Sequence, residues 1–515
     1  MDEKIKNEQM NEQTKYQSDS AELKIYNSLT RAKEVFHPLV DKKVKLYVCG
    51  PTVYDLLHIG NFRGPVFFNL VRQWFEHLGY QVTSALNFTD VDDKIIDRAK
   101  KLEISSQNLA EKYIEEYRKD YASLGLRPET LNPKVTETMV EIISFIEGLI
   151  KKGKAYEHGG DVLFSIRDFP EYGKLSGRKT DELQPAVQSD LGDSKKNPLD
   201  FALWKKAKAG EPSWESPWGA GRPGWHIECS AMISKHFGEQ IDIHGGGLDL
   251  LFPHHENEVA QSESLSGKKF ANFWMHWNML NLTGAKMSKS LGNIISLREF
   301  LQVNHPEVYK WMILSVHYRS VLDFGEESLL RAVQGLGRVY SALAMAGEYL
   351  SSESEARNEK TEIPSTKGAG SAFQKNCDLN WQKVSESLND DFNTPEAFAA
   401  MYDVIRTFNG QVKRGQASSP VIKEKARAFR EFILKFGSLL SLFQEEPKQF
   451  LTILDDRLLA KMNLQREAVQ SIVDERALAR LQKDFAKSDV LRAKLTELGI
   501  SVSDTTQGSF WEVTK

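Results

Sequence analysis

The chain has 515 residues, 41% hydrophobic and 27% charged, with a formal charge of -4. That is the profile of a soluble globular protein with room for two to four domains, and it neither demands nor excludes a nucleic-acid partner. Three cysteines, Cys49, Cys229 and Cys377, rule out a disulfide scaffold and fit a reducing compartment. The polar residues 1–22 lack a signal-peptide core and no run of eighteen apolar residues occurs, so a cytoplasmic protein without membrane spans is expected.

Residues 1–22 read as a flexible tail, with order expected from Leu23-Lys24-Ile25-Tyr26. Val44 to Cys49 forms a short apolar run, expected to be a buried strand, followed by a turn at Gly50-Pro51 and by His58-Ile59-Gly60-Asn61. Phe67, Leu70, Val71, Trp74, Phe75 and Leu78 recur at helical spacing, and Gly79 closes the helix. A second strand is expected over Gln81–Phe88, ending in Thr89-Asp90-Val91-Asp92-Asp93. Strand, glycine-bearing loop, helix and strand make a βαβ unit, which points to a doubly wound parallel sheet with its ligand site at the strand C-termini.

The stretch from about 115 to 225, with its Pro/Gly/Trp-rich segment Pro212–Gly219, reads as an insertion between the two halves of that sheet. The second half resumes at Trp225–Phe237. It continues with a strand at Gln240–Ile243, a loop at His244-Gly-Gly-Gly-Leu-Asp249, a helix from about Pro253, and a strand and loop carrying Lys286-Met287-Ser288-Lys289-Ser290. Beyond about 325 the pattern turns helical. Residues 351–370 read as a linker, 385–445 as amphipathic helices, and the last fifty as a small mixed unit ending in Trp511.

A turn such as His58–Asn61 at a helix entry offers unpaired N–H groups that receive phosphate. Gly60 would admit a nucleotide closely, and His58 can donate to developing phosphate charge; a capping role explains the same residues equally well. The lysines of Lys286–Ser290 can neutralise triphosphate oxygens, although the pentapeptide alone reads as a solvated loop. Together, one motif in each βαβ half, they resemble the class I aminoacyl-tRNA synthetases. Asn61 departs from that pattern, which has a second His; its amide can still donate a hydrogen bond.

Cys49 ends the first strand, Cys229 lies in Trp225-His-Ile-Glu-Cys-Ser230, and His254 and Glu258 are four apart, on one helix face. All are zinc-type ligands, yet by spacing alone two buried structural cysteines are the simpler reading. A metalloprotease H-E-x-x-H starting at His255 fails, because Val259 occupies the second histidine position. Leu46–Tyr54, Asn87–Lys94, Gly224–Ser230, Asp242–Leu250, Pro253–Glu258 and Lys286–Asn293 resemble cysteinyl-tRNA synthetase, and the match runs from about residue 23 to the C-terminus.

The resemblance implies a Rossmann-like catalytic domain over 23–330, a helical tRNA-binding domain over 331–450 and a small anticodon-recognition unit over 451–515. It implies one zinc on Cys49, Cys229, His254 and Glu258, to which the thiolate of free cysteine would bind directly. Thr89 and Trp225 would shape the amino-acid pocket. Gly60, Asn61, His244, Gly246, Asp249, Met287, Ser288 and Lys289 would hold Mg-ATP, with His58, Lys286 and Lys289 catalytic. The implied partners are L-cysteine, ATP and tRNA(Cys), and the implied state is a monomer.

A metal has a chemical rationale. Serine differs from cysteine by one atom, a soft thiolate binds zinc far better than a hydroxyl, and a discrimination of ~10⁴ needs roughly 5–6 kcal/mol that packing does not supply. Residues 401–435 hold eight Lys/Arg (Arg406, Lys413, Arg414, Lys423, Lys425, Arg427, Arg430, Lys435) against three acids, a face suited to RNA phosphates beside such a catalytic half. Two rivals are a ligase joining cysteine to a small amine and an inactive RNA-binding paralogue. Cys377 has no assignable role.

Overall fold

The computed structural model describes residues 22–179, 195–282, 285–286, 295–351, 369–505 and 508–514. The tail read before residue 22, most of the 351–370 linker and Met287–Ser290 lie outside the described residues. The chain divides into two units, one of Lys24–Phe300 with Tyr318–Asp323, the other comprising Leu301–His317 and Phe324 onward.

The first unit is built on strand β1 (Lys43–Val48), helix α1 (Arg63–His77), strand β2 (Gln81–Leu86), helix α2 (Asp93–Leu102), helix α3 (Trp225–Phe237), strand β3 (Ile241–Gly247), helix α4 (Glu256–Ser266) and strand β4 (Ala271–Trp277). The sheet order is β4-β3-β1-β2, all parallel. The chain winds outward from β1 to β2 and, in the other direction, from β3 to β4. The carboxyl ends of β1 and β3 therefore meet at a topological switch point, where such sheets open a crevice. Residues facing both ways are buried, as a parallel sheet covered on two faces requires: Val44, Leu46, Tyr47, Ile241 and Ile243 are each at most 1% exposed.

The triple glycine is not a loop. β3 runs unbroken through Gly247, pairing Gly245, Gly246 and Gly247 with Met275, His276 and Trp277. The glycines carry no β-forming side chain, so local propensity misses the strand. Their neighbours demand them: a Cβ on Gly245 would lie 2.3 Å from Phe68 Cζ, and one on Gly246 2.3 Å from His255 Cε1.

Between the two halves lie helices Ser106–Ser123 and Met139–Lys151, then an antiparallel sheet of Ala155–His158, Asp161–Phe164, Phe201–Lys206 and Gly221–Pro223. Trp204 and Val162 in this sheet join the apolar core beneath α3.

The second unit is mainly helical. Helices Thr394–Gln411 and Pro420–Leu440 both open with a capping side chain, Asn393 and Ser419, and with proline in the first turn. Phe408 and Phe429 stack between them at 4.2 Å. At its end, Leu459, Val469, Val473, Leu495, Ile500, Trp511 and Val513 form a separate small core, closed by the hairpin Ile500–Thr505/Gly508–Val513.

Candidate active site and metal centre

The crevice at the switch point is a cavity of about 510 Å³. Cys49, Cys229, His254 and Trp225 line one part of it; His58, Gly60, Asn61 and Asp249 also line it. Cys49 follows the last residue of β1, its N–H bonded to Gly245 O at 3.0 Å. Trp225 and Cys229 stand one turn apart on α3. His254 sits in an irregular turn, Leu251–His255, in which Phe252 is extended, as a residue preceding proline prefers. Regular helix begins only at Glu256, and Glu258 lies in its first turn.

These elements bring together four donors scattered over 209 residues. Cys49 Sγ is 3.7 Å from Cys229 Sγ and 3.7 Å from Glu258 Oε1, and His254 Nε2 is 3.1 Å from the same carboxylate oxygen. All four donor atoms lie within 4.8 Å of one another and are buried. A hydrogen-bond contact with Cys49 draws the Cys229 thiol down to about 6, helped by His254 against the cost of burial. Burial opposes charge on Glu258 and His254 too, yet His244 and His254 hold the carboxyl at about 2, while Glu258 and Cys229 hold the imidazole at about 10. Burial, with Cys229 and Glu258 beside it, pushes the Cys49 thiol well up, so two sulfurs, a carboxylate and an imidazole are gathered with protons on Cys49 and His254 that a bound cation would displace. That is the donor chemistry of a borderline-soft divalent ion such as zinc.

A second grouping, Cys49 with His244, His255 and Glu258, satisfies the same distances, but His244 and His255 do not line the cavity. They form the supporting layer. His244 Nε2 lies 2.8 Å from Glu258 Oε2, with its ring stacked on Trp274 at 4.4 Å. His255 Nδ1 meets His276 Nε2 at 2.8 Å, and His276 Nδ1 meets Ser28 Oγ at 2.7 Å. Burial keeps His255 and His276 neutral, the latter at about 3. His226, also pushed down by burial, lies with Nδ1 3.1 Å from His254 Nδ1. Its neutral Nδ1 can accept a hydrogen bond from His254 Nδ1–H and leave Nε2 to the cluster, the usual way a ligand histidine is oriented.

On the nucleotide motif, His58 caps a short 3₁₀ turn, Ile59–Phe62, and pairs with Ser296 in an isolated bridge. The Asn61 side-chain oxygen accepts from the His58 N–H at 3.1 Å, so its amide protons are the part left to meet a ligand. A Cβ on Gly60 would come within 3.0 Å of the His58 ring. Thr89 lines the cavity, with its hydroxyl donating to Glu228 Oε2 at 3.2 Å. Trp225, 38% exposed, stacks on His254 at 4.3 Å.

The structure thus gathers Cys49, Cys229, His254, His58, Gly60, Asn61, Asp249, Thr89 and Trp225 at one cavity. Glu258 lies behind it, and the side chain of His244 points to Glu258 rather than to the cavity. Lys286 belongs to a two-residue strand paired with Leu280–Leu282. Sequence reasoning assigned no role to Lys94, Tyr54 and Asn278, which also line the cavity. Tyr54 and Lys94 stand at the ends of two of the quoted motifs, which was the available signal.

The parallel sheet, switch-point cavity and following helical unit define the fold of the class I aminoacyl-tRNA synthetases. A model of the tRNA synthetases class I (C) catalytic domain matches residues 35–334, and a DALR domain model matches 383–444. A solved structure of Mycobacterium tuberculosis methionyl-tRNA synthetase with methionyl-adenylate is similar in fold, with TM-score 0.56 and 12% identity, covering 82% of this chain and 94% of that one. The chain is 61% identical to a cysteine–tRNA ligase of Bdellovibrio bacteriovorus over 96% of its length and 100% of the relative's. It is 43% identical to one of Geobacter metallireducens over 95% and 99%. The chain belongs to the cysteine–tRNA ligase family. No helix among the described residues is long and apolar enough to cross a membrane.

Proposed function

We propose that this chain activates L-cysteine with ATP and transfers it to tRNA(Cys), and that the cavity at the switch point performs the first step. The observation that carries the reading is the buried set of Cys49, Cys229, His254 and Glu258 opening onto the same cavity as the His58 turn. Zinc, held by those four residues, would supply a soft Lewis acid that distinguishes a thiolate from a hydroxyl. Trp225 and Thr89 flank the amino acid. A cysteine carboxylate oxygen attacks the α-phosphorus of Mg-ATP, the bond to the β-phosphate oxygen breaks and pyrophosphate leaves. A hydroxyl of the terminal adenosine of tRNA then attacks the carbonyl and AMP leaves.

His58 donates to the phosphate as charge develops, and Lys286 and Lys289 neutralise the departing pyrophosphate. Gly60, Asn61 and Asp249 belong to the nucleotide side, with Met287 and Ser288, whereas Gly246 does not line the cavity and packs against His255. Positioning and charge supply most of the catalysis. His244 acts instead through Glu258, fixing the carboxylate's orientation. The basic helices of 401–435 and the unit ending at Trp511 take the tRNA, which favours this reading over a small-amine ligase. Lys423, Lys425, Arg427 and Arg430 are the phosphate contacts assigned in this reading; Lys435 lies 3.7 Å from the Trp381 ring and Arg414 4.3 Å from that of Phe510.

The test is ATP–pyrophosphate exchange without tRNA. Exchange should require cysteine and be nearly absent with serine. Serine exchange at a comparable rate would overturn selection at the metal, and no exchange with either amino acid would overturn the enzymatic reading.

A further inference from the structure

Arg63, the first residue of α1, is 1% exposed. A cation at the positive end of a helix dipole, out of water, does not stabilise that helix. Its guanidinium is solvated by backbone instead: Nη1 donates to Asn278 O at 2.8 Å and Met279 O at 2.5 Å, and Nη2 to Ser320 O at 2.6 Å and Tyr318 O at 3.3 Å. The two accepting segments are themselves joined, Asn278 N to Tyr318 O at 2.9 Å and Leu322 N to Met279 O at 3.1 Å. One turn along α1, Phe67 stacks on Tyr318 at 4.3 Å. At position 64 a Cβ would lie 2.5 Å from the Trp277 ring, so the helix start and this strip are in the closest contact that glycine permits.

The strip is a wall of the cavity. Trp277, Asn278, Met279 and Leu280 all line it, and Leu280 Cβ lies 4.0 Å from where a Cβ of Gly60 would be. From this geometry we infer that Arg63 is a positioning residue for adenylate formation, fixing the Asn278–Leu280 wall against the His58–Asn61 turn and so setting the width of the nucleotide side. The inference rests on the reading of that turn as the ATP-binding side. The proposed metal donors Cys49, Cys229, His254 and Glu258 sit on other elements, at the end of β1, on α3, in the Leu251–His255 turn and on α4. Loss of the clamp therefore acts on ATP and leaves the amino-acid half intact. A lysine in its place presents one point charge and at most three donors to four carbonyls.

The test compares Arg63→Lys and Arg63→Ala in the full chain by exchange kinetics, metal content and thermal melting. Arg63→Lys should stay folded with bound zinc at the wild-type level and an unchanged KM for cysteine, while kcat/KM for ATP falls about 10- to 100-fold. Methylguanidinium added to Arg63→Ala should recover part of the ATP kcat/KM. Wild-type ATP kinetics in both variants would overturn the inference. So would parallel loss of metal, cysteine affinity and ATP affinity, or failure of both variants to fold, because each of these makes Arg63 a stability residue only. Absence of cysteine-dependent exchange in the wild-type chain would instead be a failure of the functional reading.

Discussion

Gly246 offers the sharpest test of how the fold supports the proposed metal centre. Substituting alanine would place a Cβ 2.3 Å from His255 Cε1 and 2.8 Å from His255 Nε2. The strand backbone cannot yield, because Gly246 is in register with His276 of β4 in the middle of a parallel sheet. The His255 ring cannot swing aside either: it is fully buried and held at Nδ1 by His276, which is held in turn by Ser28. Relief to ordinary van der Waals separation needs a shift of about 1 Å, and His255 immediately follows His254 and precedes the helix carrying Glu258. Overpacking of this kind costs about 1–3 kcal/mol.

Ligand positions in metal sites tolerate only about 0.2 Å, so metal affinity of Gly246→Ala should fall roughly 10- to 100-fold, as when a supporting residue is lost. The assay is competitive titration with a chromogenic chelator, with melting curves recorded with and without zinc. Gly60→Ala is the control: its clash is with His58, and it should weaken ATP while leaving zinc affinity unchanged. If Gly246→Ala binds zinc and melts like the wild type but raises the KM for ATP, the packing argument is refuted and Gly246 serves the nucleotide directly.

Cys229→Ser should lose most bound zinc or its cysteine-dependent exchange; full exchange in protein shown by metal analysis to hold none would sink the four-ligand site. His244→Phe keeps the ring on Trp274 but strips Glu258 of its 2.8 Å partner, and zinc affinity should fall roughly 10- to 100-fold. In the C-terminal unit, Arg476 grips Asp504 through two bonds of 2.8 and 2.9 Å and holds its carboxyl below the usual range. Because the folded pKa is depressed, this contribution is present above the unfolded pKa of about 4 and is lost as pH falls through the folded value. Asp504→Asn should therefore destabilise the unit at neutral pH and flatten its acid transition, measured by melting between neutral and strongly acid pH. Reversing Lys423, Lys425, Arg427 and Arg430 should spare exchange, reduce tRNA charging and lower the salt dependence of tRNA binding; unchanged charging would remove these helices from the tRNA surface.

The local signals in the chain sufficed for the βαβ halves, the helical region and the His58 turn, since apolar spacing and turn residues act within a few positions of themselves. Other features depend on neighbours distant in sequence. Spacing alone could not choose between two structural cysteines and a metal set, because Cys49 and Glu258 meet only when β1 and β3 become adjacent in the sheet. The glycines of β3 read as a loop because the reason for them lies in Phe68 and His255, not in their own preferences. Arg63 gave no signal at all. It donates to four backbone carbonyls from segments more than two hundred residues away, and a carbonyl looks the same whatever residue bears it. Sequence determined the chemistry available; the register of a parallel sheet decided which of those groups share a cavity.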